Sequence, residues 1–488
     1  MKSGALSAQQ PERGAVTLFL FFAAITIASA CAAFVLGEPA LAAVPLAFAV
    51  AYVAISDIRR IYLLLFFTVP LSVELFFENG VSTNVPAEPL MIGVTLIFIF
   101  YIIQHPHALS FRFLTHPLIV LLFIHVFWIA FTTFFSEDPI PSLKFLAAKL
   151  WYVIAFVFMA ALLVQNRKQF VPLFWYVFIP MLVLTVITIL RHATYQFRFD
   201  NVNDTVVPYF RNHVTYAAIL SVFLPFVWFA RYWQRKGSLK SALLKWGILI
   251  LVIGIAFSFT RGAWLAVLLA IVSYYAIRWR LFKTLIGAGV GVVVIGLSTL
   301  LHNNRYLNFS PEFEKTIYHE TFSAHMAATA AGLQDVSSAE RIYRWLAAKN
   351  MFIDRPEFGY GPGNFYPYYK QYTVAEFQTY ISDNEERSTV HNYFLLMLVE
   401  QGFVGFAIFL AITILVLFYG QAVYHRTRKR SDKQFVMAIV LSMVILMVQN
   451  MLSDLVETDK VGSFFFLNLA LLVIMDLRSK NKTYTPAG

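Results

Sequence analysis

Charge and cysteine are both scarce in this 488-residue sequence. Only 13% of the residues are Asp, Glu, Lys or Arg, whereas 59% are hydrophobic and 17% are aromatic. Soluble globular domains carry about 25% charged residues, so this composition excludes that class. Cys31 is the single cysteine, which excludes an internal disulfide and a paired-cysteine zinc site. The sequence instead predicts an all-α polytopic integral membrane protein.

Basic residues outnumber acidic ones, and the formal net charge is +11. Such an excess can mark a nucleic-acid-binding protein, but the Lys and Arg residues here lie in short loops between apolar runs. No basic domain with interleaved aromatic residues accompanies them. Retention of basic residues in the cytoplasmic loops of membrane proteins accounts for the excess. We therefore expect a lipid bilayer around the chain and no nucleic-acid partner.

Apolar runs recur along the whole chain and predict a bundle of 12 to 14 transmembrane helices. The predicted spans are residues 15–35, 40–56, 61–77, 88–104, 117–135, 143–164, 170–190, 213–230, 246–260, 262–277, 281–301, 392–419, 434–452 and 461–477. The first run contains Ala28-Ser29-Ala30, a pattern typical of signal-peptidase cleavage. Its length is close to the ~20 residues of a spanning helix, so we interpret it as a retained span.

Basic and acidic residues separate between alternate loops, which predicts the orientation of the spans. The basic loops contain Arg59 and Arg60; Arg167 and Lys168; Arg231 to Lys245; Arg278 to Lys283; Arg426 to Lys433; and Arg478 to Lys482. The opposite loops contain Glu38, Glu78, Glu88, Glu137, Asp138, Asp454, Glu457 and Asp459. Both termini are then cytoplasmic. The predicted parts are a cytoplasmic tail at 1–14, spans within 15–301, a loop on the outside at 302–391, spans within 392–477 and a cytoplasmic tail at 478–488.

The long outside segment is the expected place of function, because an irregular connection of this length usually carries one. Two helices are predicted in it, at 311–332 and from a capping box at Ser337 and Glu340 to a stop at Pro356. The stretch FGYGPGNF, residues 358–365, then requires a turn. It follows a helix rather than a strand, so it is not a dinucleotide-binding fingerprint.

A polar pair, His391 and Asn392, opens the apolar run that follows this loop, in the stretch HNYFLLMLVEQGFVG. Imidazole can accept a proton from a hydroxyl near neutral pH, which makes His391 a candidate base; a hydrogen-bonded interfacial histidine is the alternative. Asn392 is a candidate contact to the substrate. Gly402 and Gly405, in the same stretch, predict close helix packing.

Several cations lie where spans meet outside loops, and they are candidates for binding an anion. Arg261 separates two apolar runs that are short for a bilayer, so we expect it to lie below the outer interface. Arg191 closes one span and Arg211 opens the next, so both are placed to converge on one anion. An interfacial anchor is the alternative for Arg261 and for Arg211.

Two further cations and one aromatic residue are candidates for binding the substrate. Arg341 lies on the second loop helix and shares a face with Trp345, four residues later. Lys149 lies deeper in its span than Lys144, which makes it the better candidate for contacting a buried anion. The acidic run from Asp383 to Glu386 is the one candidate for a divalent-metal site, but consecutive polar residues typically form a solvated turn. We therefore expect no metal and no cofactor.

Together these residues predict a site that binds a polyanion at the outer interface and activates a hydroxyl beside it. Guanidinium groups match phosphate oxygens, and several of them can neutralise a pyrophosphate without a metal. The most economical substrate is a polyprenyl-diphosphate-linked sugar. Its lipid tail would lie between helices, its diphosphate among the arginines and its glycan outside.

Four stretches resemble, in order, the signatures of the O-antigen ligase and polymerase superfamily. They are RNHVTYAA (211–218), SFTRGAWLA (258–266), ERIYRWLAAKNMFIDRPEFGYGPGNF (340–365) and HNYFLLMLVEQGFVG (391–405). The resemblance covers about residues 205–410. It implies a metal-independent, inverting glycosyltransferase of the GT-C type that uses an undecaprenyl-diphosphate-linked glycan. By position, it also implies that Arg211 and Arg261 bind the diphosphate, that His391 activates the acceptor hydroxyl and that Arg341 supports donor binding.

The resulting hypothesis is an O-antigen ligase of the bacterial inner membrane, which transfers a polysaccharide to a lipid A-core acceptor at the periplasmic face. A polysaccharide polymerase and a protein O-oligosaccharyltransferase use the same donor and stay open as alternatives. A lipid-linked glycan transporter is the alternative from another class. The gathering of the candidate residues at one face disfavours it, because transporters typically bind at a midplane between paired halves.

Overall fold

The structure is a computed structural model of the chain and describes residues 21, 23–29, 31–32, 57–76, 82–303, 336–374 and 388–480. The N-terminal tail, most of the first predicted span, the whole second span, the predicted helix at 311–332 and the acidic run at 383–386 lie outside the described residues. Residues 1–64 and 65–488 form two separate compact units.

Helices account for most of the described residues, as the apolar runs predict. In chain order the helices are α1 (Ile58–Leu71), α2 (Ala87–Gln104), α3 (Phe111–Leu114), α4 (Pro117–Phe134), α5 (Pro139–Val153), α6 (Met159–Leu163), α7 (Arg167–Thr194), α8 (Val202–Val206), α9 (His213–Ala230), α10 (Leu239–Ala256), α11 (Arg261–Arg278), α12 (Phe282–Leu301), α13 (Val336–Asp354), α14 (Phe365–Tyr368), α15 (Tyr393–Arg426), α16 (Arg430–Asn450) and α17 (Asp459–Lys480). A π-helical turn, Ile154–Phe158, joins α5 to α6.

Ten of these segments are long and apolar enough to cross a membrane: α2, α4, the continuous α5 and α6, α7, α9, α10, α11, α15, α16 and α17. They confirm a multi-pass, all-α membrane protein. Within the described residues the strands are β1 (Val73–Phe76) and β2 (Ser82–Val85), which pair in an antiparallel hairpin that the sequence analysis did not predict.

The third predicted span, 61–77, ends earlier than predicted. Helix α1 stops at Leu71, and β1 begins two residues later. The buried amino group of Lys460 donates hydrogen bonds to the carbonyl groups of Val69, Pro70 and Ser72, at 3.1, 2.9 and 2.8 Å. These bonds satisfy the carbonyls that a helix leaves unpaired at its C-terminus, and they hold the chain where it leaves the helix.

The helices around Arg261 are longer than the apolar runs suggest. Helix α10 begins at Leu239, where Ser238 caps it by accepting a hydrogen bond from the Ser241 N–H, and both α10 and α11 have 18 residues. Each is therefore about 27 Å long, close to the thickness of a bilayer core. The predicted lengths of the two apolar runs are therefore too short, and the depth of Arg261 below the outer interface stays a prediction.

Successive spans reverse direction at short connections, and contacts between distant segments define the two ends of the helices. At one end the Arg478 guanidinium donates to the Gln165 carbonyl at 3.0 Å. At the other end the Glu137 N–H donates to the Tyr360 carbonyl at 3.1 Å. The end that contains Arg478 and Gln165 is called the basic end. It includes the connections 164–166, 279–281 and 427–429. We call the other end, with connections 135–138, 257–260 and 451–458, the loop end.

Helix α17 lies in the interior, because its whole apolar stretch is buried, and α9 and α16 are the next most buried spans. Polar bonds join these helices: the Gln449 amide donates to the Ser221 hydroxyl at 2.7 Å, and the Asn468 amide donates to the Ser442 hydroxyl at 2.8 Å. Lipid tails are as apolar as leucine, so close packing and such bonds hold membrane helices together.

Candidate active site

Helices α9 and α11 begin side by side at the loop end. Asn212 caps α9, because its side-chain oxygen accepts a hydrogen bond from the Thr215 N–H at 3.0 Å. His213 Nδ1 lies 2.7 Å from the Ser258 carbonyl oxygen and 3.1 Å from the hydroxyl of Thr260, the residue before α11. Arg211 and Arg261 therefore each lie within two residues of one hydrogen-bonded contact between the starts of these helices.

The connection between α16 and α17 joins these helix ends to the segment before His391. The Thr389 hydroxyl donates to the Asp454 carboxylate at 2.5 Å. Burial raises the pKa of Asp454, and the nearby positive charge of Arg211 opposes that shift. The side chain of Leu452 packs against the backbone of Gly262, so closely that a Cβ there would lie 3.1 Å from it. Arg211, Arg261 and the residues before α15 thus meet around one connection.

His391 immediately precedes the cap of α15 and is half-buried. Its φ of 55° is in the left-handed region, which is uncommon for residues other than glycine and is found most often at functional sites. Burial and the positive charges of Arg344 and Arg341 lower the pKa of His391 to about 3. The imidazole is therefore uncharged near neutral pH and available to accept a proton.

Two neighbours hold the His391 segment in place. The indole N–H of Trp345 donates to the Val390 carbonyl at 3.1 Å, so Trp345 supports the residue before His391. Asn392 caps α15, because its side-chain oxygen accepts from the Phe394 and Leu395 N–H groups at 3.0 and 3.1 Å. Both residues were predicted as substrate contacts. The bonds in the structure give them a positioning role, and direct substrate contact stays a prediction.

Arg344 is a candidate that the sequence analysis missed. Its side chain is buried, and its Nη2 lies 3.3 Å from the Glu340 carboxylate. Its Nε and Nη1 have no hydrogen-bond partner among the described residues. Buried guanidinium groups normally use their donors, so the unpaired N–H groups of these two nitrogen atoms beside His391 are suited to an anionic ligand. The available sequence signal was the position three residues after Arg341, on the same helical face.

Lys149 is buried in an ion pair rather than facing an open pocket. Its Nζ lies 2.6 Å from the Glu457 carboxylate and 3.3 Å from the Tyr393 hydroxyl, the first residue of α15. The sequence analysis expected Lys149 to contact a buried anion, and the anion that it contacts here is a side chain of the protein. Its predicted role in substrate binding stays a prediction.

This ion pair gives a stability prediction. We expect Lys149→Met to lower the free energy of unfolding by about 3–5 kcal/mol, because it leaves the Glu457 carboxylate without its partner in a largely dry site. The double variant Lys149→Met, Glu457→Leu should recover most of that loss, since neither charge remains. Unfolding of both variants in the same detergent measures the difference. Equal losses in the single and double variants would contradict the importance of the pair.

Arg191 forms hydrogen bonds with backbone carbonyl groups in the structure. Its guanidinium group donates to the carbonyl groups of Asp204 and Val207, at 2.7 Å for Asp204. These are carbonyls at the C-terminal end of α8, where a cation is favourable. Arg191 thus secures the connection before α9, and its predicted binding of the substrate anion stays a prediction.

The glycine-rich turn after α13 lies directly against a kink in α15. The Tyr360 N–H donates to the Val399 carbonyl at 2.9 Å, and the Gly361 N–H donates to the Glu400 carbonyl at 3.0 Å. At Gly402 the helix is interrupted, with φ of 67° and ψ of −172°. The turn therefore fixes α13, which carries Arg341 and Arg344, onto the helix that begins after His391.

The described residues include no group of three or more His, Cys, Asp and Glu side chains placed to hold a metal ion. The cations near His391 are suited to a phosphate-bearing ligand.

Comparison with known families identifies the region that contains most of this site. Residues 246–410 match the model of a family described as O-antigen ligase. The match includes Arg261, Arg341, Arg344 and His391, whereas Arg211 lies before it. The resemblance predicted from the sequence is confirmed over these residues, and its first stretch, 211–218, lies outside the match. No curated protein sequence matches the chain.

Proposed function

From the O-antigen ligase domain at residues 246–410, we infer that this protein is a glycosyltransferase of the bacterial inner membrane. The proposed reaction transfers a polysaccharide from undecaprenyl diphosphate to a hydroxyl of lipid A-core at the periplasmic face. The observation that carries this proposal is the placement of the His391 imidazole, whose pKa is lowered by burial and by the charges of Arg344 and Arg341, at the loop end of a membrane-spanning bundle.

The diphosphate of the donor is proposed to bind among Arg211, Arg261 and Arg344, with Arg341 in support. Four guanidinium groups exceed the negative charge of a diphosphate diester, and planar guanidinium donors pair with phosphate oxygens in a bidentate manner. Arg344 adds donors that are otherwise idle in the described structure. In the transition state the same groups stabilise the charge that develops on the departing diphosphate.

The transfer step uses His391 as the base. The imidazole accepts the proton of the acceptor hydroxyl while the acceptor oxygen bonds to the anomeric carbon. The bond from that carbon to the diphosphate oxygen breaks, and the diphosphate leaves with the electron pair. Attack from the opposite side inverts the anomeric configuration. A bound diphosphate also offsets the charges of Arg341 and Arg344, which raises the pKa of His391 and makes it a stronger base.

A reconstituted assay tests this function. Liposomes that contain only this protein and an undecaprenyl-diphosphate-linked glycan are offered lipid A-core, free glycan and a Ser/Thr peptide in parallel. We expect glycan on lipid A-core, detected as a ladder of larger lipid species, and none in protein-free liposomes. Product on free glycan instead would indicate a polymerase, and product on peptide a protein glycosyltransferase. Movement of donor across the bilayer without any product would indicate a transporter.

A further inference from the structure

A second cluster of cations surrounds a cavity at the basic end of the bundle, remote from His391. The cavity has a volume of about 260 Å³ and is lined by Asn166, Arg167, Lys168, Lys429, Asp432 and Arg478. Four cationic side chains thus face one carboxylate. Retention of basic residues on one side of a membrane explains their abundance at this end, but it does not explain why the starts of α7 and α16 and the end of α17 bring them around one cavity.

The local anions leave most of this positive charge unbalanced. Asp432 lies 3.7 Å from Arg167 Nε, a long ion pair. The other carboxylate nearby, Asp476, is already engaged with Arg426, Lys480 and His116. Lys168 and Lys429 are both exposed. The carboxylates of the described residues therefore balance only part of the positive charge around the cavity, and a bound anion would be attracted to the remainder.

Two helix termini add to the same positive potential. Helix α7 begins with Arg167 and Lys168 after its cap, Asn166, whereas α16 begins after Lys429, which forms no side-chain hydrogen bond to cap it and has one carboxylate, Asp432, in its first turn. The N-terminus of a helix carries a partial positive charge, which adds to that of the cations, and Asp432 offsets only part of the sum. Both termini open toward the same cavity, which makes a bound phosphate group favourable for each of them.

The surface of α7 favours a lipid as the ligand that would bring a phosphate group to this cavity. From Lys168, an exposed face of the helix continues toward the loop end; its large apolar residues are Tyr176, Ile179, Val183, Ile187 and Leu190. These positions repeat at helical spacing on one side of a membrane-spanning helix. Acyl chains lying along that face would place their headgroup at Lys168. Trp233 lies under the Arg167 guanidinium, at 5.2 Å from its ring centroid, as is typical of the membrane interface.

We propose that this cavity binds the phosphate headgroup of an anionic phospholipid, of the phosphatidylglycerol class, whose acyl chains lie along α7. Basic pockets between transmembrane helices recognise such headgroups, particularly on the side that the sequence predicts to be cytoplasmic here. The site is independent of the proposed transferase activity, because it lies at the opposite end of the bundle.

Lipid binding to the purified full-length chain tests the proposal. Native mass spectrometry is used to titrate phosphatidylglycerol and phosphatidylcholine, and the affinity of the first bound lipid is compared. We expect the wild-type chain to prefer phosphatidylglycerol, and the double variant Lys168→Ala, Lys429→Ala to lose about fivefold in that preference for each cation removed. The matched control is Lys236→Ala, Arg428→Ala, which removes two exposed cations from the same end but outside the cavity.

The control variant should retain the wild-type preference, which separates the cavity from a general effect of net charge. Equal binding of the two lipids by the wild-type chain would overturn the proposal, as would equal losses in the two double variants. Inorganic phosphate and pyrophosphate are added as competitors. Displacement of the lipid by either at millimolar concentration would assign the cavity to a soluble phosphate and also overturn the lipid assignment.

Discussion

Replacement of His391 by alanine is expected to lower the rate of glycan transfer by about 10²–10⁴-fold, the usual contribution of a positioned base. Alanine removes the imidazole whose pKa is lowered by the Arg344 and Arg341 guanidinium groups. The arginines proposed to hold the diphosphate remain, so binding of the donor should change little. Initial rates in reconstituted liposomes measure the first quantity, and equilibrium binding of labelled donor measures the second.

The comparison variant is His107→Ala, which removes an exposed histidine on the connection before α3. It should transfer glycan at the wild-type rate, because it lies at the basic end of the bundle. A wild-type rate for His391→Ala would show that another group removes the proton. Loss of donor binding in step with activity would assign His391 to binding instead.

The sequence predicts the membrane spans well, because apolar length is a local property. Even α15 and its start at His391 and Asn392 follow from a polar pair before an apolar run. Where a predicted boundary of a span is wrong, contacts between residues that are distant in the sequence determine the boundary. Lys460 ends α1 by bonding to carbonyls nearly 400 positions earlier in the chain, and apolar patterning gives no sign of it.

The candidate site was likewise predicted where local sequence patterns are sufficient and missed where long-range contacts matter. A family-like pattern is enough to single out Arg211, Arg261 and His391, whereas Arg344 emerges only once α13 is placed beside His391. Lys149 likewise looks like a cation available to substrate until Glu457, 308 positions away, is found beside it. Charge in a sequence therefore identifies candidates, but the partner that each charge meets depends on the tertiary structure.

Gly402 lies at the interruption of α15, in a backbone conformation that other residues rarely adopt. The sequence predicts close packing at this position, and the structure shows both a close contact and an interruption of α15. Its φ of 67° with ψ of −172° belongs to a region that is essentially restricted to glycine. The interruption frees the Phe403 N–H to donate to the Pro356 carbonyl at 2.9 Å, which attaches the turn after α13 to α15.

Substitution Gly402→Ala is expected to lower the free energy of unfolding by about 4 kcal/mol, from backbone strain and steric overlap together. A Cβ at this position would lie 2.0 Å from the Glu357 carbonyl oxygen, and backbone atoms cannot move aside as a flexible side chain can. Detachment of the turn would also displace Arg341 and Arg344, so transfer should fall even where the variant stays folded. Gly289→Ala on α12 is the matched control, because nothing lies within 4 Å of a Cβ there and alanine is the better helix former. Unfolding in detergent and initial transfer rates are measured for both variants. A Gly402→Ala chain as stable as Gly289→Ala would mean that α15 can straighten without loss, and that the turn does not depend on the kink.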